Sequence, residues 1–97
     1  MITEIFESPL KNKRYRVLLD NGEHYDFGLK EGETYLDHHD KTKRMNYQKR
    51  HLGNKIENFR ITNGINSPSL FSFYLLWGPS TDLKENIEYL NTKFPKR

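Results

Sequence analysis

The stretch SPSLFSFYLLWGP, residues 67–79, constrains the fold more than any other. Ser67 can cap a helix, Pro68 suits a first helical position, and Gly78-Pro79 forces a stop. Between these signals, 68–77 is apolar on nearly every side. A surface helix keeps a polar face, so this one belongs in the buried centre and the rest of the chain must wrap it. Its apolar run, Leu70–Trp77, is far shorter than the ~20 residues of a membrane span, so no membrane partner is expected.

The wrapping begins with strands. Ile2–Glu7 alternates weakly and meets a turn at SPLKNK. Arg14–Leu19 and Glu23–Phe27 then flank Asp20-Asn21-Gly22. A two-residue Asn21-Gly22 loop would set Val17 opposite Asp26, which mixes polar and apolar groups on both faces. A three-residue loop with Gly22 in the left-handed region sets Tyr15 opposite Phe27, Val17 opposite Tyr25 and Arg16 opposite Asp26. One face is then apolar and the other carries an ion pair. The three-residue loop is expected, because a one-residue slip would expose half the apolar side chains. Tyr15, Tyr25 and Phe27 have the composition of a stacking platform for bases. The helices need an apolar surface to cover, however, and this is the only good one.

A helix is expected over 38–51, with Asp37 as its N-cap, Asp40 in its first turn and Gly53 as its stop. Asn54–Asn66 shows no clean period and reads as irregular. A last helix, 82–93, begins after Ser80 or Thr81. Leu83, Ile87, Leu90 and Phe94 form one stripe along it, and Pro95 ends it ahead of a basic Lys96-Arg97 tail. Strands first and helices later make an α+β domain. A small antiparallel hairpin or meander, about residues 2–27, packs against two or three helices at about 38–51, 68–77 and 82–93. The 97 residues fit one domain, 1–97.

Composition narrows the chemistry. A core drawn from 34% hydrophobic residues is lean, but 6 Phe, 6 Tyr and 1 Trp strengthen it. Zero cysteines exclude disulfides, thiolate metal sites and a cysteine nucleophile. MITEIFESP has no basic start followed by an apolar run, so the chain is not expected to be secreted. Net charge is +3, a mild bias that leaves room for a weakly bound anionic partner.

The most chemically loaded segment is TYLDHHDKTKRMNYQKRH, Thr34–His51. His38 and His39 are adjacent and diverge by about 100° on a helix, and His51 is not at a ligand spacing from either. No metal ligand set is assigned. Asp37, His38 and Asp40 are the weak candidates for holding a cation, and no cofactor is expected. The cluster Asp37-His38-His39-Asp40, with Arg44 and His51, has the residue types of a metal-dependent nuclease but no recognisable hydrolase pattern. Asp40, Arg44, Tyr47 and His51 share one helix face, within roughly 60°, and an Asp40–Arg44 ion pair is expected there. Lys41, Lys43, Lys49 and Arg50 scatter round the helix. With Arg44 they are the candidate contacts for nucleic-acid phosphates or for a partner. Trp77 reads as a core anchor at a helix end.

Three stretches, YRVLLDNGEHYDFG, YLDHHDKTKRMNYQKRH and SLFSFYLLWGPSTDLKENIEYLNTKF, resemble a family of small proteins of unknown function from large DNA viruses of algae and amoebae. The resemblance runs from Tyr15 to Phe94. It rests on Asp26-Phe27-Gly28, Tyr35, Asp37-His38, Asp40, Arg44, Tyr47, Arg50-His51 and Leu75-Leu76-Trp77. It implies a viral source and supplies no activity. The function expected from it is a non-enzymatic structural protein of the virion, a minor capsid or internal component whose partners are other virion proteins. The motif would then hold the fold together, with Arg44, Tyr47, Arg50 and His51 tying their helix to the sheet and to the Trp77 helix. A basic genome-associated protein and the metal-dependent nuclease are the alternatives. The expected location is the virion, or the cytoplasm or nucleus of an infected cell. Oligomeric state stays open.

Overall fold

A computed structural model of the chain describes residues 1–95. The Lys96-Arg97 tail lies outside the described residues. Strands β1 (Ile2–Glu7), β2 (Lys13–Leu19) and β3 (His24–Leu29) form an antiparallel meander in sequence order. Five α-helical segments follow: α1 (Tyr35–His38), α2 (Lys41–Leu52), α3 (Lys55–Thr62), α4 (Pro68–Phe71) and α5 (Leu83–Lys93). The architecture is α+β.

The hairpin takes the expected register, with Tyr15 opposite Phe27, Arg16 opposite Asp26 and Val17 opposite Tyr25. Gly22 closes the loop at φ +87°, a conformation open to glycine at little cost. Arg16 and Asp26 form a two-pronged ion pair at 3.0 Å. Ser8 Oγ also donates to Asp26 at 2.6 Å, so the pair is half-buried and not simply wet. With Arg16 first and Ser8 after it, these donors hold the Asp26 carboxyl below the usual range.

The inner face carries Val17, Leu19 and Phe27, and Ile2 from β1 joins the same core. Phe71 of α4 sits 5.5 Å from Tyr25 and 5.9 Å from Phe27, ring centre to ring centre. The sheet aromatics are therefore core and not an open platform. Ser67 caps α4 through Leu70 N, with Pro68 in the first turn. The expected helix 68–77 changes character part-way. After Phe71 it widens into a π-helix, Ser72–Leu76, and Trp77 N bonds back to Ser72 O at 3.2 Å. The segment is buried on nearly all sides, as its composition requires.

Helix α5 is capped by Asp82, which accepts from Lys84 N and Glu85 N. It therefore starts at Leu83, one residue beyond the expected 82. Its stripe Leu83, Ile87, Leu90 and Phe94 packs on the core. Asn91 clamps β1 by accepting from Ile2 N at 2.9 Å and donating to Ile2 O at 3.2 Å.

Two expectations fail between residues 34 and 66. The helix expected over 38–51 is two helices. His39 turns left-handed at φ 56° and ends α1, and Asp40 caps α2. Asp37 is thus not an N-cap but lies inside α1, where its carboxylate reaches back to Thr34 N at 2.8 Å. Asn54–Asn66 is not irregular either. Asn54 accepts from Ile56 N and Glu57 N and starts α3. The helix shows no stripe because Ile61 is buried while Ile56 and Phe59 stand 64% and 61% exposed.

Candidate functional site

The acidic residues and histidines of the loaded segment each make at least one hydrogen bond. Asp37 receives both prongs of Arg14, at 2.7 and 2.8 Å. This bond first, then the Thr34 donors, push its carboxyl well below the usual range. His38 Nδ1 accepts from Asp40 N at 2.9 Å. The ring proton of neutral His38 therefore sits on Nε2, which is buried and has no hydrogen-bond partner among the described residues. His39 Nε2 donates to Leu36 O at 3.1 Å, since a carbonyl can only accept. The carboxylate of Asp40 accepts from Thr42 N at 2.9 Å and Lys43 N at 3.1 Å. Those amides, Lys43 first, lower its titration.

The expected Asp40–Arg44 ion pair is not made. The cap position turns Asp40 onto the backbone, and Arg44 Nε donates instead to Trp77 O at 3.1 Å. Gln48 adds a longer bond to the same carbonyl, 3.4 Å. The Arg44 guanidinium also lies 5.5 Å from the Tyr35 ring centre. Lys41, Lys43, Lys49 and Arg50 are exposed. No three His, Asp or Glu side chains converge as a metal-holding group among the described residues.

What the segment does build is a column of rings. Tyr47 and Trp77 stack at 4.3 Å between centres, 5° from parallel. His51 lies 4.1 Å from Tyr47 on its opposite face, and His38 lies 5.3 Å from Trp77. Three of these four rings come from α1 and α2, and the fourth from the end of the π-helix. Tyr47 Oη bonds Ser72 Oγ at 3.1 Å. Burial raises the Tyr47 hydroxyl above its ordinary range, so it stays protonated. His51 Nδ1 meets Glu57 Oε2 of α3 at 2.6 Å. Arg44 and Tyr47 thus tie α2 to the Trp77 segment, while His51 ties it to α3 and Arg50 remains outside.

Beside the column opens a cleft of about 390 Å³, within the size range of small-ligand sites. Tyr47, Trp77 and Leu76 form an apolar wall, and Lys13 and Arg50 lie among its lining residues. Sequence reasoning missed Lys13, Arg14, Glu57 and Ser72. Arg14 and Asp37 are 23 positions apart, and His51–Glu57 crosses a helix–helix turn, so no local spacing signals either.

A family model described as "Family of unknown function (DUF5754)" matches residues 3–51, just over half of the chain. The chain belongs to this family. No curated protein and no solved structure matches it. The DUF5754 match covers the sheet, α1 and α2 up to His51, and so includes Asp37, His38, Asp40, Arg44, Tyr47 and Arg50. It does not reach Leu75-Leu76-Trp77, although His38, Arg44 and Tyr47 all contact Trp77.

Proposed function

We propose that the protein is a small non-enzymatic structural protein that works by contacting other proteins. We take its setting from the resemblance to proteins of large DNA viruses: the virus particle, as a minor capsid or internal component. One observation carries the first part. Most of the groups that could do chemistry are spent on structure: Asp37 on Arg14, Asp40 on a helix cap, His51 on Glu57 and Arg44 on a backbone carbonyl. What the helices leave outside suits contacts. Met45 of α2 and Ile56 and Phe59 of α3 are each at least half exposed, and large apolar groups left outside serve protein interfaces.

The test is to locate the protein in purified, nuclease-treated particles and to cross-link it in place. Cross-links from Lys49 or Lys55, which flank these apolar residues, to other shell proteins are expected. A protein missing from purified particles would refute the virion setting. A particle-borne protein that forms no cross-links to other proteins in these particles would refute the protein-contact role.

A second reading is a genome-associated protein. It is favoured by Lys41, Lys43, Lys49 and Arg50, which are exposed and form no ion pair among the described residues. Arg44, also expected to contact phosphate, is held inside instead. Binding to duplex DNA would then weaken by roughly 0.9 log units per log unit of salt for each phosphate contact. A flat salt profile, or no binding at low salt, would exclude it.

A further inference from the structure

We propose that the cleft beside the ring column binds a nucleoside phosphate. The wall is Tyr47, Trp77 and Leu76, and the charged rim is Lys13, Arg50 and Glu33.

The apolar wall and the charges make complementary demands. Tyr47 is covered on one face by Trp77 and on the other by His51. A ligand in the cleft therefore meets ring edges. Aromatic edges carry positive charge density and favour the π-face of another ring. A flat, electron-rich base satisfies that wall, whereas an aliphatic chain would use only its area. Lys13 and Arg50 come from separate elements, β2 and α2, and neither forms an ion pair among the described residues. Lys13 and Arg50, the latter with its guanidinium 5.8 Å from the Tyr47 ring centre, are two cations lining one cleft, and they suit a phosphate, which offers charge and several acceptor oxygens. His51 adds little charge, because its ring is shared with Glu57.

Glu33 distinguishes a nucleotide from a plain aromatic acid. A carboxylate on the rim would repel a simple anion, but it accepts hydrogen bonds from hydroxyl groups. A ligand that carries a phosphate, a sugar diol and a flat base uses all three kinds of lining group. The π-helix strengthens the assignment, since such widened turns occur often at functional sites. Here Ser72–Leu76 brings Ser72 and Leu76 to the cleft and ends against Trp77. The cleft shares Arg50 with the base-rich outer surface of α2, and Lys13 of β2 sets it apart from that surface.

Trp77 is the chain's single tryptophan, so its emission reports on the cleft directly. The experiment titrates the full chain with AMP, adenosine, inorganic phosphate and a 5′-phosphorylated hexathymidylate. Trp77 fluorescence is followed with correction for ligand absorbance. Saturable quenching by AMP is expected, with adenosine and phosphate each weaker by about tenfold or more, the weight of a lost charge-assisted contact. Lys13→Ala and Arg50→Ala should each weaken AMP by about tenfold on the same grounds. Lys84→Ala on α5 should not change it, and circular dichroism checks that every variant is folded. Saturation by the strand but not by AMP keeps the proposal and assigns the ligand to a strand's terminal nucleotide. No saturable change with AMP or the strand at millimolar concentrations would overturn it. So would quenching that is equal for AMP and adenosine and indifferent to Lys13→Ala.

Discussion

Residues 67–94 and residues 13–57 are fastened by different means. In the first region the ties are buried. Asn86 has no exposed surface. It donates to Leu75 O at 3.1 Å and Ser80 O at 2.8 Å and accepts from Ser80 N at 2.9 Å. One side chain thereby pins the end of the π-helix and the turn after it to α5. In the second region the ties are charged and partly open to water, Arg14 with Asp37 and Arg16 with Asp26, with the His51–Glu57 contact beside them. Buried amide ties give large effects that ignore salt and pH, because no charge is involved. Open ion pairs give small effects that follow both.

The largest effects should fall in the buried region. Gly78 has no room for a side chain, since a Cβ there would lie 2.0 Å from Tyr74 O. The backbone of the π-helix end would have to move, so Gly78→Ala should cost about 3 kcal/mol. The midpoint of urea unfolding, followed by Trp77 emission, checks this. A variant within error of the parent would mean that the turn is loose. Asn86→Ala comes next, at about 2–3 kcal/mol, because it strands the buried carbonyl of Leu75 and the half-buried carbonyl and amide of Ser80. That loss should be the same at low and high salt. A salt-dependent loss would break the contrast between the two regions.

The same contrast explains what could be read from sequence. The hairpin register was legible because a slip of one residue in a period of two misplaces every side chain from Tyr15 to Phe27. The Ser67–Pro79 segment was legible because cap, proline and glycine bracket an apolar run. Asp37 was misplaced because two aspartates stand three apart, Asp37 and Asp40, and either can cap. What decides between them is Arg14, which lies on β2 and is brought near only by the fold. His39 gave no warning, since a left-handed histidine carries none of the signal of a glycine. The third helix was hidden because two of its three apolar side chains face outward. The tie from Tyr47 to the Trp77 segment was expected, but its stacked form was not, since the angle between the two rings is set only by tertiary packing.

In the charged region, Asp37→Asn tests the other half of the comparison. It removes a two-pronged bond to Arg14, but the partners are 21% and 36% exposed, so solvent screening reduces the cost to about 1 kcal/mol. The sign with pH is fixed by the lowered titration of Asp37 in the folded state. The carboxylate contributes fully above its unfolded value, ~3.9, and the contribution is lost as pH falls below it toward the folded value. The gap between parent and variant should therefore close on acidification and stay level from pH 5 to 7. Unfolding midpoints taken from pH 7 down to about 3, below the unfolded carboxyl value, check it. The parent should retain part of its acid sensitivity even so, because Asp26 is also lowered, by Arg16 and Ser8.

The smallest effect should come from the outer surface of α3. Ile56 and Phe59 make little use of the core, so the double substitution Ile56→Ser and Phe59→Ser should change stability by no more than about 0.5 kcal/mol. Helix propensity works in the same small range, since serine is close to both residues it replaces. If these side chains are kept outside to meet a partner, their removal should leave the unfolding midpoint in place and still abolish incorporation into particles. A large loss of stability would instead mean that Ile56 and Phe59 fold back onto the domain. In that event the outer face of α3 would belong to the buried region's logic, and the contact surface would have to be sought among the bases of α2.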